Sequence, residues 1–131
     1  MSILVAYDGS EVARDALMLA RKHAQAYGEN LEVVRSVERG GDVDLANIQR
    51  LEKELEEEIR RLVGDTDPKV ETNLLVSANT AGENIVRHAE IKKSREIVMG
   101  VRRRSKVGKF VFGSTSQYVI LNAPCPVVTT R

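Results

Sequence analysis

The residues best suited to do chemistry lie between Gly100 and Ser116. Gly100 and Gly113 bracket Arg102, Arg103, Arg104, Lys106 and Lys109, and Ser114, Thr115 and Ser116 follow at once. Such a set fits an anion. Glycine lets backbone approach a ligand closely, and a helix start offers unpaired N–H groups at the positive end of its dipole. Hydroxyls and guanidinium groups add donors for phosphate oxygens. The apolar run Glu96-Ile97-Val98-Met99 precedes this stretch, and a helical pattern from Ser114 to Asn122 follows it. A strand therefore feeds a basic loop, and the loop opens a helix that Ser114 is expected to cap. The ligand class this implies is a phosphorylated small molecule.

Other chemistries fail on their own residues. Val107-Gly108-Lys109-Phe110 is not a Walker A loop: Phe110 stands where a hydroxyl must hold magnesium, and Arg103 where the first glycine belongs. No G-x-G-x-x-G occurs. His23 and His88 each lie in a helical pattern, out of zinc-like spacing with Cys125, so no metal site is expected. Cys125, between two prolines, reads as a small half-buried hydrophobe. Asp42 and Asp44 lie in a loop without a partner signal, and no nucleophile–base constellation stands at element ends, so no catalytic residue is expected.

The elements that must position the anion-binding stretch follow from length and periodicity. A chain of 131 residues makes one domain, 1–131, with a genuine core. No apolar run approaches the roughly 18 residues of a membrane span. The N-terminus lacks a basic n-region, so it does not read as a signal peptide. The single cysteine, Cys125, excludes an internal disulfide framework and fits a cytoplasmic setting. The net charge of +1 gives no general argument for nucleic acid. Five glutamates within 52–58 read as a solvated helix face, with Glu56/Arg60 and Glu57/Arg61 as i,i+4 pairs.

Ile3 to Tyr7 reads as a buried strand leading to Asp8-Gly9-Ser10, where Asp8 or Ser10 can cap a helix that Gly28 ends. Leu31 to Val37 is the second strand. Leu45, Ile48, Leu51, Leu55, Ile59 and Leu62 form the stripe of a second helix, stopped at Gly64, and 65–68 is a turn. Val70 to Val76, Arg95 to Met99 and Val127 to Thr130 are further strands. Thr80 to Lys92 is the third helix, with Ile85, Val86 and Ala89 inward. Strict strand–helix alternation with near-continuous apolar strands implies a parallel sheet with helices on both faces. Ligands bind such sheets beyond the strand carboxyl ends, where the strand order reverses. If strands one and four are neighbours, the exits at Asp8-Gly9-Ser10 and Gly100 form one crevice.

The chain resembles the universal stress protein (UspA-type) family. The resemblance is carried by Ile3-Leu4-Val5-Ala6-Tyr7-Asp8-Gly9-Ser10, by Ile97-Val98-Met99-Gly100, and by the closing Asn122-Ala123-Pro124-Cys125-Pro126-Val127-Val128. ATP-binding members carry G-x2-G-x9-G-[ST] after the fourth strand. Gly100, Gly113 and Ser114 match that spacing, and Arg103 replaces the second glycine. The resemblance implies a doubly wound five-stranded α/β sheet of order 3-2-1-4-5, of the adenine nucleotide alpha hydrolase-like type. It also implies a homodimer through strand 127–130 and a nucleotide pocket at the ends of strands one and four.

By position, Ala6 and Asp8 would flank adenine, Ser36 and Val37 would line the base side, and Met99 and Gly100 would meet adenine and ribose. Gly113, Ser114, Thr115 and Ser116 would serve the phosphates, with Arg102 and Arg103 replacing lost backbone donors. The implied ligand is ATP or AMP, with Mg2+ admissible beside the phosphates. The implied role is regulatory or protective in stress response rather than enzymatic, weak ATPase turnover aside. The competing reading is a dimeric interaction module without nucleotide, whose basic loop 102–109 docks an acidic partner. Direct nucleic-acid binding through residues 92–109 is disfavoured because that patch lacks the aromatic stacking residues of single-strand binders, Phe110 and Phe112 reading as loop or core anchors.

Overall fold

The computed structural model describes residues 1–38, 44–101 and 113–131. Nine elements alternate: β1 (Ser2–Ala6), α1 (Glu11–Tyr27), β2 (Asn30–Glu38), α2 (Leu45–Val63), β3 (Val70–Ser77), α3 (Ala81–Lys92), β4 (Glu96–Gly100), α4 (Ser114–Asn122) and β5 (Val127–Thr130). The strands form one sheet of order β3-β2-β1-β4-β5, every neighbouring pair parallel. Both the architecture and the order are those expected. The order reverses between β1 and β4, whose register pairs Ala6 with Met99.

Alternation along each strand divides the core in two. Ile3, Val5, Leu31, Val33 and Val98 face α1 and α2, meeting Ala13, Ala16, Leu17, Ala20, Leu55 and Ile59. Leu4, Val34, Ile97 and Met99 face α3 and α4, meeting Ile85, Val86, Ala89 and Val119. Alanines along α1 let that helix lie close to the strands. Each fully buried Leu, Ile or Val contributes about 1.5–3 kcal/mol of transfer free energy.

The stripe of α2 is only half used. Leu55, Ile59 and Val63 are buried, whereas Leu45 at its start is 70% exposed. The helix therefore packs through its C-terminal half, over β3. Its N-terminal turn extends past the sheet.

Three helices have side-chain caps. Ser10 accepts from the Ala13 N–H, Asp44 from the Asn47 N–H, and Thr80 from the Glu83 N–H. The Glu83 carboxylate in turn accepts from the Thr80 hydroxyl at 3.0 Å. Gly28 ends α1 in the left-handed region, as its position implied. Among the described residues no helix is long and apolar enough to cross a membrane.

Candidate functional site

A cleft of about 340 Å³ opens beyond the carboxyl ends of β1, β2 and β4. Ala6, Tyr7 and Asp8 line it from the exit of β1, and Met99 and Gly100 from the end of β4. Val34, Arg35 and Ser36 of β2 form one wall, Ala81 and Ile85 of α3 another. Gly113, Ser114, Thr115 and Ser116 bring the first turn of α4 to its rim. The two glycine-bearing strand exits thus share one crevice, because β1 and β4 pair directly.

Local sequence explains the shape. Gly9 takes a positive φ of 85°, which turns the chain from β1 into α1. Asp8 fixes that turn, one carboxylate oxygen accepting from the Ser10 N–H at 2.9 Å. At Gly100 the reason for glycine is space. A Cβ there would lie 2.5 Å from the carbonyl carbon and oxygen of Val12. The start of α1 therefore presses directly onto the end of β4, and Val12 and Ala13 become part of the cleft wall. The Thr130 hydroxyl donates to that same Val12 carbonyl at 3.2 Å, tying β5 to the wall.

The position of α4 is set by a second close approach. Gly82 of α3 leaves room for Tyr118, whose Cβ would sit 2.9 Å from a side chain at 82. Tyr118 rests on the start of α3 and holds the N-terminus of α4 at the cleft. Here the expected cap is corrected. The N-cap of α4 is Gly113, not Ser114, and no side-chain hydrogen bond closes it. Ser114 is the first helical residue, so its hydroxyl does not serve as the cap. Alone among the four described helices, α4 offers its first turn without a side-chain cap, and that turn lines the cleft. Such an end favours negative charge.

Of the residues proposed from the sequence, Ala6, Asp8, Ser36, Met99, Gly100, Gly113, Ser114, Thr115 and Ser116 come together here. Val37 follows Ser36 on β2, half-buried and paired in register with Val76, and is not part of the lining. Arg102 and Arg103, like the rest of the basic loop 102–109, lie outside the described residues. Sequence reasoning missed Tyr7, Val12, Ala13, Val34, Arg35, Ala81 and Ile85. The start of α3 carried one usable signal: Thr80 before Glu83 marks a helix start beyond the end of β3, at the same end of the sheet.

A polar chain behind the β2 wall, running from exposed Asn79 to buried Asn84, was also missed. The Asn79 N–H donates to Ser77 Oγ at 2.9 Å, the Ser77 hydroxyl donates to Asn84 Oδ1 at 2.7 Å, and Asn84 Nδ2 donates to Ser36 Oγ at 3.0 Å. On the opposite wall the Tyr7 hydroxyl donates to Glu58 Oε1 at 2.9 Å. Burial pushes the Tyr7 pKa up, and the hydrogen bond to the Glu58 carboxylate adds to the rise.

A doubly wound parallel sheet, with a cleft at its reversal point and the first turn of α4 at its rim, defines an open α/β protein of the doubly wound class. The chain belongs to the universal stress protein family, whose model matches residues 1–131. It is 38% identical to a universal stress protein of Thermus aquaticus, over 99% of this chain and 98% of that one. A universal stress protein of Archaeoglobus fulgidus is 32% identical, with a TM-score of 0.86 over 100% of this chain and 98% of that one. A structure of the universal stress protein from Archaeoglobus fulgidus in complex with dAMP is 30% identical, with a TM-score of 0.82 and coverage of 100% and 98%.

Proposed function

We propose that the cleft binds an adenine nucleotide, ATP or AMP, and that the protein is a cytoplasmic regulatory or protective module rather than an enzyme. One observation carries the reading. The helix without a side-chain cap begins with three hydroxyl residues and meets a floor of small residues, Ala6 and Gly100, within a single cleft. That combination gives donors for phosphate and a flat approach for a planar base. The cleft volume is within the range of small-molecule sites. The dAMP complex of the Archaeoglobus relative supports the same ligand class.

In this reading the Ser114, Thr115 and Ser116 hydroxyls and the backbone of Gly113 hold phosphate, while Ala6, Met99 and Gly100 accept base and ribose. Mg2+, where a phosphate chain brings it, would offset charge among the phosphates. Asp8, the carboxylate of the cleft, is engaged by the Ser10 N–H and shapes the turn. Arg102 and Arg103 supply charge-assisted donors in place of the family's second glycine. Mass spectrometry of ligand released from freshly purified, denatured protein should find AMP or ATP. Arg103→Ala should then weaken binding by about 1.5–3 kcal/mol. Tighter ATP binding by Arg103→Gly than by the natural chain would contradict the role given to that arginine.

We further propose that two copies pair through β5. This strand ends the sheet, and Val127 and Val128 are only partly covered. The Pro126 and Thr130 carbonyls accept from Ile97 of β4 and from Val101 just beyond it, so alternation turns the N–H of Thr129 to the free edge. An open edge of this kind invites another strand. Thr129→Pro removes an outward donor and leaves the β4 pairing intact. Sedimentation should show a dimer for the natural chain and a shift to monomer for the variant. A natural chain that sediments as a monomer would contradict the pairing.

A further inference from the structure

The polar chain behind the β2 wall has a direction, and the direction reaches the cleft. It starts from a group that can only donate, the backbone N–H of Asn79, bonded to Ser77 Oγ at 2.9 Å. Ser77 has one proton of its own, and Asn84 Oδ1 lies 2.7 Å away to take it. The amide orientation that uses this proton turns Asn84 Nδ2 towards Ser36 Oγ, at 3.0 Å. Asn84 is itself only 8% exposed, so both ends of its amide must find protein partners. With one lone pair of Ser36 Oγ taken by Asn84, the Ser36 proton is not spent on α3 and can turn to the cleft, which Ser36 lines.

We propose that Asn84 sets Ser36 as a hydrogen-bond donor into the cleft, and that Ser36 thereby selects a purine by one of its unprotonated ring nitrogens. This rests on the adenine-nucleotide reading above and assigns its base specificity. Ser36 is the contacting residue. Asn84 is a positioning residue that acts through it, and Ser77 orients Asn84. The three come from β2, α3 and β3, so the device depends on the packing of α3 over those strands. A serine without this backing could spend its proton on α3. Here a proton turned towards Asn84 would displace the bond from its amide and leave a buried N–H unpaired, which is costly, so the Ser36 proton is kept for the cleft.

The test is binding calorimetry with AMP and its 1-deaza, 3-deaza and 7-deaza analogues. Each analogue replaces one ring nitrogen by a C–H and leaves the phosphate unchanged. One of the three should bind the natural protein about three- to tenfold more weakly than AMP, the range for one neutral hydrogen bond. Ser36→Ala should lower AMP affinity by the same factor and make that analogue and AMP bind alike. Asn84→Asp cannot donate, so Ser36 should turn its proton to the new carboxylate, and AMP affinity should fall as in Ser36→Ala. Combining the two substitutions should produce no further loss.

Equal binding of all three analogues and AMP to the natural protein would overturn the proposal while leaving the site reading standing. A further loss when Asn84→Asp is added to Ser36→Ala would show that charge acts, not the relay, and would also overturn it. Failure of AMP itself to bind the natural protein would overturn the site reading, and the assignment of Ser36 with it. Far-ultraviolet circular dichroism and thermal unfolding check that each variant is folded.

Discussion

The two ends of this sheet are built on opposite principles. At the amino end of the strands the layers are locked together by buried charged and polar pairs. His88 of α3 bonds Glu32 of β2 on one face, and His23 of α1 bonds Glu96 of β4 at 2.5 Å on the other. The terminal amine lies 3.5 Å from Glu29, Arg95 bonds Glu29 at 3.2 Å, and the Arg95 guanidinium covers the Tyr27 ring at 4.3 Å. At the carboxyl end Ala6, Gly100 and Gly113 to Ser116 are small or hydroxylated, α4 starts without a side-chain cap, and a cleft remains open. The same strands and helices run through both ends. At the amino end the buried carboxylates of Glu32 and Glu96 are paired within the protein. At the carboxyl end no side-chain cap closes α4, and in the reading proposed above the donors of that turn serve a ligand.

Breaking the closed end should give the largest effect. His88→Ala leaves Glu32, whose side chain is 4% exposed, without its partner. Removing one member of a buried pair costs about 3–5 kcal/mol. Urea denaturation should show a loss of that order, while AMP affinity of the folded variant stays unchanged. A stability loss under about 1 kcal/mol, the scale of a surface pair, would mean that the amino end is not the lock described.

The open end should respond in the reverse sense. Ser114→Ala removes a hydroxyl from the cleft but no cap, since the cap position belongs to Gly113. Nucleotide affinity should fall by about 1.5–3 kcal/mol, as for a hydrogen bond to a charged group. Stability should change by less than about 0.5 kcal/mol, as at an ordinary surface position. A clear loss of stability with full affinity would reverse the assignment of the two ends.

The smallest effect concerns pH at Tyr7, which lines the cleft and bonds Glu58 of α2. Its folded pKa is raised above the ordinary 10.0 by burial and by Glu58. Between the unfolded and folded values the native state holds the phenolic proton more tightly than the unfolded state does. Stability from this group is therefore fully present below pH 10 and is lost as pH rises through the folded value. Tyr7→Phe should flatten that alkaline decline. It should also cost about 1 kcal/mol at neutral pH for the hydrogen bond to Glu58. An alkaline slope unchanged in Tyr7→Phe would show that other groups set it.

The sequence made one end far more legible than the other. The strand order came from the family resemblance, whereas the parallel sheet and the cleft position followed from alternation, from the apolar runs at Ile3 and Ile97, and from the glycine-bearing exits at Gly9 and Gly100. These are local signals, and the handedness of parallel crossovers leaves few topologies for them. The Gly113–Ser116 start of α4 was visible for the same reason, although the cap was placed one residue late. The Glu32–His88 and Glu96–His23 pairs were not legible, because each joins residues more than fifty positions apart and neither carries a spacing signal. The Ser77–Asn84–Ser36 chain was hidden likewise. Asn84 looks like an ordinary polar residue on a helix until α3 is laid over β2. The exposed start of α2 was misread because a periodic stripe says which face is apolar, not how much of it the sheet covers.

The central claim is that the carboxyl end of the sheet holds an adenine nucleotide, and its most direct test is a titration of AMP followed by backbone amide NMR. The account predicts saturable shifts at Ala6, Asp8, Ser36, Gly100 and Gly113 to Ser116, with Glu32, His88, His23 and Glu96 silent. Absence of saturable shifts, or shifts centred on the His–Glu pairs at the amino end, would contradict it.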